Sequence, residues 1–112
     1  MKKEAGRKTR EGRIVLKADG TFRVPNRPII PYVQGDGTGV DIWPAGQQVM
    51  DLAVEKAYGG RRSIEWLRVY AGQEAMDRFG TPLPESTLKA LRTYRVGIKG
   101  PLTTPVGGGS EA

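Results

Sequence analysis

Two short segments hold most of the residue types that could do chemistry. The first, Gly35-Asp36-Gly37-Thr38-Gly39, follows an apolar run and precedes a long helical pattern, a place where backbone N–H groups and a helix start can receive an anion. Its spacing is G-x-G-x-G and not G-x-G-x-x-G, and no acid closes the next strand as the dinucleotide fingerprint requires. An anion cradle and a plain strand-to-helix turn are both open readings. The second segment runs from Lys99 to Gly109 and carries the adjacent hydroxyls of Thr103 and Thr104 between Pro101 and Pro105. A strand that runs straight into such a loop puts it at the carboxyl end of a sheet, where open α/β folds bind ligands. Equally, the prolines can simply end the strand and leave the hydroxyls and Lys99 in water. The acids Asp36, Asp41, Asp51, Glu55 and Glu65 show no metal-ligand spacing, read as solvent-facing groups, and give no metal site. The chain has neither cysteine nor histidine, so thiolate chemistry and the commonest general base are excluded, and no catalytic residue is nominated.

The elements that must position these segments follow from the patterning. Ile14–Lys17 and Thr21–Val24 flank Asp19-Gly20, a pair suited to the positive φ of a tight hairpin. Ile29–Gln34 has the β-branched and apolar content of a buried strand, with Pro31 near its start or on an unpaired side. A helix is expected from about Val40 to Tyr58, with Pro44 in its first turn, an apolar stripe of Trp43, Val49, Met50, Ala53, Val54 and Ala57, and Gly59-Gly60 as its stop. A second strand spans 63–70, with Ile64, Trp66 and Arg68 on one face, and helices cover about 73–79 and 84–93. In the last helix Leu88 and Leu91 form the apolar side and Glu85 lies in the first turn. A third strand is read at Tyr94–Ile98. Strand, helix, strand, helix, strand is the order of an α/β protein, here a partial, largely parallel sheet with flanking helices, preceded by a small β-hairpin. Trp43, Trp66, Tyr32 and Tyr70 are read as packing groups within it.

A chain of 112 residues accommodates at most one small domain. The net charge is +6, but residues 1–13 hold six basic groups against two acids and so carry +4 of it. A polyanion-binding domain displays its charge across a folded face, whereas this excess sits in a polar leader, read as a disordered basic tail; no nucleic-acid partner is expected. No apolar run reaches the roughly 18 residues of a membrane span, and no secretory signal is evident, so a cytoplasmic location without membrane contact is the expectation.

The segments taken together resemble the amino-terminal part of bacterial NADP-dependent isocitrate dehydrogenases, of the β-decarboxylating (isocitrate/isopropylmalate) dehydrogenase family. The resemblance rests on Pro28–Tyr32, Gly35–Asp41, Ala53–Tyr58, Tyr70–Glu74 and Ile98–Gly109, in the family's order. It implies the first part of an isopropylmalate dehydrogenase-like fold at residues 14–109, distinct from a true Rossmann domain. It also implies a metal-assisted oxidation of isocitrate by NADP and decarboxylation to 2-oxoglutarate, as in the tricarboxylic acid cycle. Residue by residue, Thr103 matches a cofactor-contacting threonine, Thr104 its neighbour, Thr38 a loop position near the adenosine end of the cofactor, and Lys99 a lysine near substrate and nicotinamide. The full-length family is homodimeric and uses Mg2+ or Mn2+, and its metal ligands have no counterpart in this chain.

Where the family continues Ile-Arg-Ser-Leu-Asn after the triple glycine, this sequence reads Ser110-Glu111-Ala112. A one-base shift in a suitable coding sequence converts the one into the other, so residues 110–112 are expected to be a non-family tail, by frameshift, split gene or linker. The resemblance thus implies a piece of a dehydrogenase, inactive alone. The competing readings are a structural or complementing fragment that pairs with a separately made remainder, and a small basic nucleic-acid-binding module.

Overall fold

The computed structural model describes residues 12–103. Most of the basic leader, Thr104 and the tail at 110–112 lie outside the described residues. The first element is the expected hairpin, β1 (Val15–Leu16) antiparallel to β2 (Phe22–Arg23). Gly20 takes φ +88°, and the Asp19 carboxylate accepts from the Thr21 amide at 2.9 Å and the Thr21 hydroxyl at 2.6 Å, which fixes the turn from within.

The remainder is α/β: β3 (Ile29–Val33), α1 (Gly39–Tyr58), β4 (Glu65–Val69), α2 (Gln73–Phe79), α3 (Glu85–Tyr94) and β5 (Ile98–Lys99). β3 lies between β4 and β5 and is parallel to both, so the largely parallel sheet expected from the element order is present. Pro31 therefore sits in the middle of the middle strand, where its missing N–H would ordinarily cost a ladder bond. Backbone groups alternate sides along a strand. The Ile29 amide donates to the Gly12 carbonyl and the Val33 carbonyl accepts from Gly100, so Pro31 faces the same side. β5 begins pairing only at Tyr32, one residue later, so the proline spans the gap between the Gly12 segment and β5.

Side chains alternate in the same way. Ile29, Pro31 and Val33 are buried on one face, where Val33, Val69 and Ala71 pack with Ala90 of α3 and with Leu102. Thr87 of α3 is fully buried there; its hydroxyl donates to the Tyr70 carbonyl at 2.6 Å and accepts from the Tyr70 amide at 3.3 Å. On the other face Tyr32 stacks on Trp43 of α1 with centroids 4.5 Å apart, and Trp66 meets both rings edge-on. Trp66 and Arg68 share this face, as the strand pattern requires.

Three expectations shift. α1 starts at Gly39, so Pro44 falls in its second turn and cannot donate to the Val40 carbonyl, which an exposed Val40 leaves open to water. Only Gly39 and Trp43 of α1 are buried; Val49 is 67% exposed, Ala53 and Ala57 are exposed, and Met50 and Val54 are half-buried. The third strand is Ile98–Lys99, because Tyr94 is still on the buried side of α3 and the chain turns only at Arg95, φ +72°.

Candidate functional site

The carboxyl ends of β3, β4 and β5 bring three loops together: Gln34–Thr38, Tyr70–Gly72 and Gly100–Thr103. The last of these is held against the first by backbone bonds. Gly100 donates to the Val33 carbonyl at 2.8 Å, and the Asp36 amide donates to the Pro101 carbonyl at 2.7 Å. This approach is so close that side chains are shut out. A Cβ on Gly35, already at φ +92°, would run into the Pro101 carbonyl oxygen, and one on Gly100 into the Gln34 carbonyl. Gly35 and Gly39, the latter because a Cβ there would meet the Gln34 carbonyl, are therefore tied to backbone-on-backbone packing, whereas a Cβ on Gly37 would meet nothing within 4 Å.

Asp36 joins all three loops. One carboxylate oxygen, Oδ2, accepts from the Thr103 amide at 2.9 Å and the Gln73 amide at 3.1 Å. Gly72, φ +78°, leaves room for it, since a Cβ there would come within 2.6 Å of that oxygen. Partial burial works against the charge, but the amides of Thr103, Gln73 and Glu74 and the Thr103 hydroxyl outweigh it and hold the carboxyl below its ordinary value. The sequence reading of Asp36 as one more solvent-facing acid is corrected here. Its signal was its place between two glycines at a strand end, where a short carboxylate can reach backbone amides.

Thr103 and the 34–37 loop line a cleft of about 340 Å³, whose other walls are Val40, Gln73, Glu74 and Asp77. Glu74 is turned toward Arg68 at 2.9 Å. Thr38 stands exposed at the start of α1; its hydroxyl makes no cap bond, and its carbonyl takes the amides of Asp41 and Ile42. Lys99 is exposed on β5 with its ammonium 3.2 Å from the Gly100 carbonyl, outside the walls of that cleft. Thr104 is not among the described residues. Thr103 and the glycine loop are thus brought to one cleft, Thr38 borders the loop, and Lys99 lies beside it. Among the described residues no three acidic groups are placed to hold a metal ion, so no step through a metal is assigned to these side chains. The cleft itself offers the Thr103 hydroxyl among the carboxylates of Asp36, Glu74 and Asp77, while the Thr38 hydroxyl and the Lys99 ammonium lie outside its walls.

A sequence profile described as isocitrate/isopropylmalate dehydrogenase matches residues 29–112. The chain is 65% identical over 100 residues to the NADP isocitrate dehydrogenase of a Nostoc species, covering 88% of this chain and 21% of that protein. It is 60% identical over 96 residues to NADP isocitrate dehydrogenase 1 of Colwellia maris, covering 84% and 23%. Among solved structures, isocitrate dehydrogenase from Methylococcus capsulatus superposes with a TM-score of 0.54 at 40% identity over 75% of this chain and 23% of that one. The chain spans about a fifth of the length of the curated relatives it matches.

Proposed function

This chain belongs to the isocitrate/isopropylmalate dehydrogenase family, and from that premise we propose that it is the cofactor-loop segment of an NADP-dependent isocitrate dehydrogenase. The observation that supports this most is the meeting of Thr103 and the 34–37 loop in one cleft at the carboxyl end of the sheet, within a chain 65% identical to an NADP isocitrate dehydrogenase.

When bound, NADP would supply the hydride acceptor for oxidation of isocitrate at its carbinol carbon, with the β-carboxylate then leaving as carbon dioxide to give 2-oxoglutarate. Thr103 offers a hydroxyl to the cofactor from a loop that is fastened to β3 on one side and to Asp36 on the other. Thr104 stands next to it in sequence. Thr38 presents an uncommitted hydroxyl toward the adenosine end, and Lys99 brings a positive charge toward the substrate carboxylates. A divalent cation, Mg2+ or Mn2+, is held elsewhere in such an enzyme, as is the proton-transfer machinery. Homodimerisation and a cytoplasmic site of action are further parts of this reading.

Titrating the 112-residue chain with NADP while recording its amide spectrum tests the reading. The amides of residues 35–38 and 100–103 should respond together, and Thr103→Val should weaken the response by about tenfold or less, the value of one neutral hydrogen bond. Responses confined to other parts of the chain, or an unchanged titration in Thr103→Val, would move Thr103 out of the cofactor site.

A further inference from the structure

We propose that Asp36 is a positioning residue for cofactor binding: its carboxylate fixes Thr103 by binding the backbone amides of Thr103 and Gln73 at once, locking the loop after β5 to the start of α2. The proposal rests on the cofactor reading of Thr103 given above.

The geometry is specific. A single oxygen, Oδ2, serves two amides thirty residues apart in sequence, at 2.9 and 3.1 Å. The same residue's own amide grips the Pro101 carbonyl at 2.7 Å, so the 101–103 loop is held at two points by one amino acid. Gly35 and Gly72 are both shaped to this contact, one by admitting the Pro101 carbonyl and the other by admitting Oδ2. Thr103 is itself exposed, and among the described residues its backbone amide donates to Asp36 alone. Remove the carboxylate, and the amide loses its acceptor while the hydroxyl loses its fixed direction.

A positioning carboxylate and a bystander carboxylate at this place have effects of opposite sign on binding. NADP carries several negative charges. A carboxylate that were only a bystander beside it would repel it, as would Glu74 and Asp77 on the same cleft, and its neutralisation would tighten binding. A positioning carboxylate predicts weaker binding on neutralisation.

The test uses the 112-residue chain, NADP as the probe, and the variants Asp36→Asn and Asp36→Ala. In the unaltered chain the Thr103 and Gln73 amide protons should lie downfield, the signature of bonds to a carboxylate. Asp36→Ala should move both upfield and raise the NADP dissociation constant by about tenfold, corresponding to roughly 1.4 kcal/mol. Asp36→Asn keeps a carbonyl oxygen in place and should give a smaller rise, a partial rescue that loss of a mere charge would not produce. If the alanine variant does not fold, the asparagine variant decides: shifted amides with weakened binding support the proposal, and unchanged or tighter binding overturns it. Equal NADP affinity in all three chains also overturns it and leaves the cofactor reading standing. No response at Thr103 in the unaltered chain is the distinct result that refutes the cofactor reading, and the role of Asp36 falls with it.

Discussion

Asp36 and Thr87 show how single polar groups hold this chain together. Because the Asp36 carboxyl is held below its ordinary value, its bonds add stability at neutral pH, and that contribution is lost as acid protonates the folded state. Stability should therefore be level above about pH 4, the ordinary carboxylate value, and decline as the pH drops further. Asp19, lowered by its bonds to the Thr21 side chain and amide, declines in the same window. Urea unfolding at a series of pH values should show a shallower acid slope for Asp36→Asn; an identical slope would place the charge-dependent stability elsewhere. Thr87 is 2% exposed and satisfies both backbone groups of Tyr70. Thr87→Val preserves shape but strands that amide and carbonyl, and should cost about 1–3 kcal/mol in unfolding free energy. Thr87→Ser, which keeps the hydroxyl, should cost less.

Among the elements, the decisive contacts are backbone to backbone. The 35–39 loop and the 100–102 loop approach so closely that Gly35→Ala combines a forced positive φ with a clash on the Pro101 carbonyl. This substitution should lower the unfolding free energy by about 1–3 kcal/mol, the range for strain at a restricted backbone position. Gly46→Ala, where nothing lies within 4 Å of the new methyl, should be neutral or slightly stabilising in the same melt. A Gly35→Ala chain as stable as the Gly46→Ala chain would show that the loops separate readily. α1 is attached differently. Its seat on the sheet is the Trp43 ring against Tyr32 and Trp66, with Trp66 Nε1 donating to Asp51 at 2.9 Å. Ile42, Val49 and Leu52 on its other sides are more than half exposed.

At the scale of the molecule, the sheet has three parallel strands in the order β4, β3, β5, with α1 on one face and α3 on the other. Among the described residues no helix is long and apolar enough to cross a membrane. The chain spans about a fifth of the length of its curated relatives, and its described residues gather no metal-holding acids. Purified 112-residue chain with isocitrate, NADP and Mg2+ should therefore form no NADPH, followed by absorbance. Sustained NADPH formation that disappears with Thr103→Val would refute this expectation and assign catalysis to these residues.

The order of elements, the parallel sheet and the two glycine-rich loops of the cleft are all readable from residue pattern, because periodicity, proline and glycine act locally. The hairpin turn at Asp19-Gly20 and the helix stop at Gly59 were legible for the same reason. The start of β5 was not: Tyr94 suits a strand by type, but it is the last residue of α3 and is buried on that helix's inner side. Nor could the pattern show that Val49 and Ala53 lie outward, since an apolar stripe states which face can be buried and not whether a partner covers it. Asp36 is the sharpest case. Its type and its glycine neighbours are local, but the donors to its oxygen are the amides of Gln73 and Thr103, and only the folding of β4 and β5 beside β3 brings those amides to one oxygen.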